Sequence, residues 1–166
     1  MKKIIVGLIA TFLFVGCSSK GSTEVVEPKL VIGKSLSDLA LNDQFKKEHK
    51  LEATTKKVIF AFSKDIAHTC NDYFVAQSPT YLSQNNTQFV ADVSAAPSLI
   101  RSMFILPGLK DFKHTVLLLD DKKIAAPYRE GMDTEKIVVV HIEDESITKI
   151  ETISSEDELK KVIEAK

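Results

Sequence analysis

The sequence predicts an α/β fold in which a mixed sheet is flanked by helices and preceded by a β-hairpin. The apolar run at residues 58–62 is typical of a central strand buried on both faces, and the strand-like segments at residues 88–93 and 115–119 are expected beside it. Segments with helical spacing separate these strands, which favours βαβ units with right-handed crossovers. Two strand-like segments with no helix between them follow, so part of the sheet should be antiparallel.

The hairpin is expected before the first apolar run. Leu39 and Leu41 alternate with their neighbours as in a short strand. A turn over residues 42–49 and a return strand at Lys50 and Leu51 would complete it.

Two helices are expected to pack on the sheet. The first covers residues 67–85 and is interrupted at Ser78-Pro79, because proline favours the first turn of a helix. Its apolar stripe contains Cys70, Phe74, Tyr81 and Leu82. The second covers residues 97–106 and is expected to end at Pro107-Gly108. Its stripe is interpreted as core packing and contains Leu99, Ile100, Met103 and Phe104.

The C-terminal part should complete the antiparallel side of the sheet. After a turn at residues 120–123, a short return strand is expected at residues 124–128. Residues 137–142 and 147–153 are strand-like and are joined by a charged turn. Ser155-x-x-Glu158 is a capping box that starts a final amphipathic helix, whose apolar residues are Leu159, Val162 and Ile163.

The N-terminus has the organisation of a secretory leader. Lys2 and Lys3 precede an uncharged run, residues 4–16, which is shorter than the roughly 20 residues of a spanning helix. The run ends in Leu-Phe-Val-Gly-Cys-Ser, residues 13–18, which resembles a bacterial lipobox despite Phe14 at a position where that motif prefers an aliphatic residue. The resemblance implies removal of residues 1–16 and attachment of a diacylglycerol thioether to Cys17.

A lipidated Cys17 would hold the protein on a membrane of the cell envelope, facing the periplasm. Ser18 favours the outer over the inner membrane, by the sorting rule of the same family. Residues 17–29 would be a flexible tether. The alternatives are a leader cut elsewhere, with Cys17 incidental, and a short transmembrane anchor.

Size and net charge limit the kinds of partner that are expected for the chain without its leader. Residues 30–166 are of the size of one domain. Without Lys2 and Lys3, 20 Lys and Arg face 23 Asp and Glu, a net charge of −3. Since no basic stripe is present, nucleic acid is not an expected partner.

The element order resembles the thioredoxin fold. Residues 32–34 and 39–44 resemble the opening hairpin of peroxiredoxin-like and thiol–disulfide-exchange proteins, and residues 89–107 are similar to a segment of uncharacterised secreted proteobacterial thioredoxin-like proteins. The resemblance implies the fold over residues 30–166. It places a Cys-x-x-Cys motif after the strand 58–62 and a cis-proline before the strand 115–119.

This chain departs from both features. With Cys70 at the place of the second cysteine, Ala67 replaces the nucleophile, and His114-Thr115 occupies the approach to the strand 115–119 without a proline. Dithiol exchange needs an attacking and a resolving sulfur, so it is not expected. Cys70, the only cysteine besides Cys17, is interpreted as a buried core residue.

The alternative for Cys70 is a reactive thiolate near a helix N-terminus with His68 beside it. This would make the protein a single-cysteine, peroxidase-like redox enzyme, although Ala67 stands where such enzymes carry a threonine. No metal or cofactor is expected, because a metal site needs more ligands than His68 and Cys70. The other histidines are interpreted as solvated or core-edge side chains: His49, His114 and His141.

Two hypotheses for function follow. The preferred one is a non-catalytic binding or scaffold domain that acts on an unknown envelope protein. The other is the single-thiol enzyme using Cys70. The accessibility of the thiol separates them.

Overall fold

A computed structural model describes residues 26–165. The expected leader, Cys17 and most of the tether therefore lie outside the described residues. The strands are β1 (Ala40–Asn42), β2 (Glu48–Lys50), β3 (Lys57–Ala61), β4 (Thr87–Asp92), β5 (Leu117–Leu119), β6 (Ile137–Glu143) and β7 (Ser146–Ile153). The helices are α1 (Lys64–Val75), α2 (Tyr81–Gln84), α3 (Ser98–Ile100), α4 (Leu106–Leu109), α5 (Lys122–Arg129) and α6 (Glu156–Glu164), with a π-helical turn at Arg101–Ile105 between α3 and α4.

The main sheet is mixed and has the order β5-β4-β3-β6-β7. Strands β3, β4 and β5 are parallel, whereas β6 pairs antiparallel with β3, and β7 pairs antiparallel with β6. The predicted mixed sheet and the adjacency of the three predicted strands β3, β4 and β5 are confirmed. One detail is wrong: β5 is an edge strand, and β6 is the second neighbour of the central strand β3.

Alternating residues of β3 divide the core into two layers. Val58, Phe60 and Phe62 face a layer that contains Tyr128 of α5. Ile59 and Ala61 face the other layer, which contains Cys70 and Phe74 of α1 and Leu159 of α6. Helices thus cover both faces of the sheet, as the continuous apolar runs predict.

The hairpin of β1 and β2 forms a separate two-stranded sheet. Its register pairs Leu41 with His49, so the hairpin is confirmed, with the return strand starting two residues earlier than expected. A bridge between Asp43 and Leu117 attaches the hairpin to β5, at the end where β5 begins.

The prediction of a return strand at residues 124–128 is wrong, because these residues lie in α5. The Asp121 carboxylate caps this helix by accepting hydrogen bonds from the backbone N–H groups of Lys123 and Ile124. Ala125 and Tyr128, three residues apart, are its buried side chains. The spacing of Ile124 and Tyr128 fits a strand as well as a helix, and the cap decides between them.

We call residues 98–109, from α3 through the π-helical turn to α4, the outer helix. Pro107-Gly108 does not end it. The backbone N–H of Leu106 bonds the carbonyl of Arg101, five residues back, and the helix continues to Leu109. Core packing by its predicted stripe is also wrong: Leu99, Met103 and Phe104 are 64%, 59% and 65% exposed. The helix packs through Ile105, Leu106 and Leu109 instead.

The remaining helices follow the sequence more closely. Helix α1 starts at Lys64, three residues earlier than predicted, and the expected break separates it from α2. Ser155 caps α6 by accepting from the N–H of Glu158, as the capping box predicts. Among the described residues, no helix is both long and apolar enough to cross a membrane.

Candidate functional site

The candidate site lies at the carboxyl ends of β3 and β4, where α1 begins. In open α/β sheets, ligands bind in the crevice outside the carboxyl ends of the strands. Because Ala61 pairs with Ala91 in parallel register, the residues that follow each strand leave the sheet side by side. Ser63 and Ser94 each lie two residues beyond the last residue of their strand. We call Asp92, Ser94 and Arg129 the edge cluster.

Asp92 is the charged centre of the edge cluster. Its side chain is fully buried, and its Oδ1 atom accepts a hydrogen bond from the backbone N–H of Ser94 at 2.8 Å. Its Oδ2 atom lies 3.4 Å from Nη1 of Arg129, whose side chain is 37% exposed. The ion pair therefore joins a buried carboxylate to a guanidinium that reaches the surface.

Three buried polar atoms at this end of the sheet make no hydrogen bond: Ser63 Oγ, Ser94 Oγ and Asp92 Oδ2, of which the last has its ion pair with Arg129. Ser63 stands at the N-cap of α1, but its side chain makes no capping hydrogen bond. A buried polar atom left unpaired costs about 1–3 kcal/mol, so water or a ligand is expected to bond these groups.

A surface cavity opens beside Ser94 and Arg129. It has a volume of about 530 Å³, and Ser94, Arg129 and Thr134 are among its lining residues. The partly exposed guanidinium of Arg129 can donate to a ligand in the cavity, whereas the hydroxyl of Ser94 is buried in the cavity wall. This arrangement fits binding of a polar group. Among the described residues, no set of three or more His, Cys, Asp or Glu side chains is placed to hold a metal ion.

Cys70 lies outside the edge cluster. It is the seventh residue of α1, is fully buried, and packs in the layer that contains Phe74 and Phe89. Burial raises the pKa of the Cys70 thiol to about 12, and the carboxylate of Glu156 adds to the increase. Little thiolate therefore exists near pH 7, and thiolate is the nucleophilic form of cysteine.

The structure does not bring His68 and Cys70 together as a pair. His68 is exposed whereas Cys70 is buried. Residues two apart on a helix do not face each other. The alternative, a thiol near the start of its helix with His68 beside it, is not the arrangement that the structure shows.

His114 has a different environment from the one that the sequence predicts. It is buried rather than at the core edge, with its ring against those of Phe74 and Phe112. Its Nε2 atom lies 2.9 Å from Oδ1 of Asn71. Burial lowers the pKa of His114 to about 4, so the ring is neutral at pH 7.

Gln44 completes this arrangement, and we call Gln44, Asn71 and His114 the interior network. The Gln44 amide donates to the backbone carbonyl of His114 at 2.8 Å and accepts from the N–H of Val116 at 2.9 Å. The amide of Asn71 donates to the carbonyl of Ala67. The side-chain amides of Gln44 and Asn71 are thus each bonded through both their nitrogen and their oxygen. No sequence pattern marks the network, because its members come from three separate segments.

The two other buried or part-buried histidines pair with carboxylates. Nε2 of His49 lies 2.8 Å from Asp43, and Nε2 of His141 lies 2.6 Å from Glu151. These pairs account for both rings without a ligand.

The sequence matches no protein-family model and no curated protein. Solved structures share its architecture. A cysteine-to-serine mutant of PrxQ from Xylella fastidiosa superposes with a TM-score of 0.54 at 13% identity, over 80% of this chain and 92% of that one. A Chlorobium tepidum protein assigned as the thiol:disulfide interchange protein DsbE gives 0.53 at 16% identity, over 81% and 96%. Peroxidoxin BcpB from Mycobacterium tuberculosis gives 0.50 at 15%, over 80% and 93%.

The protein has a thioredoxin-like fold. At these identities the likeness establishes the fold alone.

The strand directions correct one expectation, namely that His114-Thr115 occupies the position at which the family carries its cis-proline. Strand β5 runs parallel to β4, so His114 lies at the end of the sheet opposite to the edge cluster. Strand β6 is antiparallel to β3, and the residues before Ile137 are the ones that approach the start of α1. Among the described residues no peptide bond is cis.

Proposed function

We propose that this chain is a lipid-anchored protein of the cell envelope whose thioredoxin-like domain binds a partner and performs no thiol chemistry. The burial of Cys70 in the middle of α1 is the observation that supports the second half. Ser63 stands at the start of α1, and the chain has no cysteine other than Cys17 and Cys70. A dithiol reaction would need two sulfurs at one site.

The edge cluster is the surface that fits the binding role. Arg129 reaches the surface and can donate hydrogen bonds, and Asp92 and Ser94 are buried acceptors of the same cluster. A peptide segment of another envelope protein presents N–H donors and C=O acceptors in alternation, so it matches this mixture. The carboxyl edge of the sheet is also the general ligand site of such folds.

The anchor part of the proposal rests on the leader pattern and on Cys17. Two or more acyl chains hold a protein on a membrane far more firmly than one. Cys17→Ser should release the protein into the soluble periplasm or leave it with an uncut leader. The measurement is detergent partitioning of cell fractions, with Cys70→Ser as the matched control. A cleaved Cys17→Ser protein that still partitions like the wild type would overturn the anchor.

Thiol titration tests the absence of thiol chemistry. The full-length protein is labelled with iodoacetamide across a range of pH, with the unfolded protein as the reference for a free thiol. We expect labelling of the folded protein to be slow up to high pH, because a buried thiol has to be exposed before it reacts. Fast labelling with an apparent pKa well below about 8.5 would instead support the single-cysteine enzyme.

Site-specific photocrosslinking tests the binding surface. A photoreactive residue at Lys122, which lines the cavity beside Ser94, should give a defined adduct in intact cells. The adduct should be lost when Arg129→Ala is added. The same photoreactive residue at Phe45, at the opposite end of β5, is the control. Equal adducts at both positions, or an adduct that is indifferent to Arg129, would contradict the assignment of the edge cluster.

A further inference from the structure

The outer helix carries an apolar patch formed by Leu99, Ile100, Met103 and Phe104. Each of the four is exposed by 43% to 65%. Their spacing places them together on one side of the helix, since residues four apart are neighbours on its surface. The opposite side is the one that packs on the domain, through Ile105, Leu106 and Leu109. Contiguous exposed apolar patches on such helices mark protein or membrane contacts.

The charge around the patch favours an anionic surface. Residues 98–113 contain Arg101, Lys110 and Lys113 against Asp111, a net charge of +2. The chain without its expected leader has a net charge of −3, so residues 98–113 are a positive segment on a negative protein. Arg101 is the only charged residue within the outer helix itself, and the two lysines follow its end. Basic residues beside exposed Leu and Phe are typical of helices that lie in a membrane interface.

The position at which the described chain begins also supports contact of the outer helix with a membrane. Val26 lines a surface cavity together with Lys122 and Lys123. The same two lysines line a second cavity, of about 330 Å³, together with Ser98 and Arg101 at the start of the outer helix. The first described residue and the start of the outer helix therefore both lie near Lys122 and Lys123.

The length of the connecting chain limits how far the domain can stand from its anchor. Nine residue steps separate Cys17 from Val26. A fully extended chain spans at most about 3.3–3.6 Å per residue, so Val26 stays within about 30 Å of a lipidated Cys17. A domain held at this distance, near its outer helix, can bring that helix to the bilayer surface.

We propose that the outer helix inserts Leu99, Met103 and Phe104 into the headgroup region of the membrane that holds the lipid anchor. This inference rests on the proposed anchor at Cys17. The patch would fix the orientation of the domain, with the outer helix on the lipid. The anchor would supply the affinity, and the patch and its cations would supply the orientation.

Tryptophan fluorescence offers a direct test, because the chain contains no tryptophan. Full-length Phe104→Trp protein is purified from membranes in detergent and reconstituted into vesicles of phosphatidylethanolamine and phosphatidylglycerol. Phe45→Trp is the matched control: Phe45 is 59% exposed, close to the 65% of Phe104, but lies in the hairpin. Met103→Trp is a second probe of the patch, should Phe104→Trp disturb the fold.

We expect blue-shifted emission from the patch tryptophan and loss of that emission when the lipids carry brominated chains. The Phe45→Trp control should show neither effect. Vesicles that bind both variants but quench neither would overturn the inference and leave the anchor intact. Failure of both variants to float with the vesicles would overturn the anchor and, with it, this inference.

Two other occupants of the patch give distinct results. A blue shift without bromine quenching that disappears on dilution within the vesicles would mean that a second copy covers the patch. The same shift at every dilution would mean that another segment of this chain covers it. Either result would overturn the membrane proposal.

Discussion

The interior network and the edge cluster are both groups of buried polar side chains at opposite ends of the same sheet, but only the first has its hydrogen bonds completed within the protein. Gln44 and Asn71 each donate and accept inside the fold. Ser63 and Ser94 each keep a buried hydroxyl without a hydrogen-bond partner, and Oδ2 of Asp92 has only its ion pair with Arg129. Because an unpaired buried group is costly, a polar cluster that persists unpaired is better explained by a ligand or water than by stability.

The comparison therefore separates a structural polar group from a functional one. Removing a member of the interior network should cost stability, whereas trimming an unpaired hydroxyl of the edge cluster should cost almost none. The change in the free energy of unfolding on mutation should therefore distinguish the interior network from the edge cluster.

Gln44→Leu should lower the free energy of unfolding by about 4 kcal/mol, because it leaves the N–H of Val116 and the carbonyl of His114 unpaired, at about 1–3 kcal/mol each. Urea denaturation measures the change. Gln84→Leu, at an exposed glutamine, is the control and should change stability by less than about 0.5 kcal/mol. A loss below 1 kcal/mol for Gln44→Leu would contradict the structural role of the network.

The interior network should also make the protein sensitive to mild acid. The pKa of His114 is lowered from 6.5 to about 4 in the folded state, so the unfolded chain binds more protons between these values. The contribution of neutral His114 to the free energy of unfolding is complete above pH 6.5. It should fall by about 3 kcal/mol as the pH drops to 4, at about 1.4 kcal/mol per pKa unit.

Urea midpoints between pH 7 and 4.5 isolate this effect. The carboxyl groups of Asp43 and Glu151 have lowered pKa values and contribute only at more acid pH. His114→Gln should flatten the dependence in this window while it keeps a polar group near Asn71. An unchanged slope in that variant would assign the acid sensitivity to other groups.

Arg129→Ala should cost about 2 kcal/mol, because it leaves the buried carboxylate of Asp92 without its cation. The value lies below the roughly 3–5 kcal/mol of a fully buried pair, since Arg129 is partly exposed. Thermal and urea unfolding measure it. Adding Asp92→Asn removes the buried charge and should recover most of the loss. A double variant that is as unstable as the single one would argue against the ion pair.

Cys70→Ala should cost about 1 kcal/mol, the amount typical of a small truncation in a core. Any phenotype of the wild-type protein should persist in the variant, because the thiol takes no part in a reaction. Loss of phenotype with stability preserved would instead give Cys70 a chemical role.

Ser94→Ala should change the free energy of unfolding by less than about 0.5 kcal/mol, because its hydroxyl makes no hydrogen bond within the protein. Ser155→Ala is the matched control. It removes the cap of α6 and should cost about 1 kcal/mol. The photocrosslinking yield at Lys122 should fall in Ser94→Ala and stay constant in Ser155→Ala.

Local patterns predicted most of the elements. The runs around Ile59 and Leu118 are continuous apolar stretches, and such stretches become strands covered on both faces. The capping box at Ser155 and the interruption at Pro79 act through neighbouring residues, so they are legible in the chain itself. The burial of Cys70 follows from its helical stripe with Phe74.

The errors have one origin. Periodicity reports that a face is apolar, but it does not report which neighbour covers that face. Leu99, Met103 and Phe104 form a correct helical stripe, and the fold turns that stripe to the outside and packs Ile105 and Leu109 inward. The end of the outer helix was misplaced for a related reason, since the π-helical turn carries the chain through Pro107.

The class of fold, most of the strands, the lack of a second thiol in the domain and the leader pattern that predicts an anchor at Cys17 could all be read from the chain alone. Each of these depends on residues that are close in the chain or on a count. The tertiary structure decided the edge position of β5, the neutral buried state of His114 and the meeting of Asp92 with Arg129. These depend on contacts between segments dozens of residues apart, whose pairing is set by packing of the whole core and leaves no local pattern.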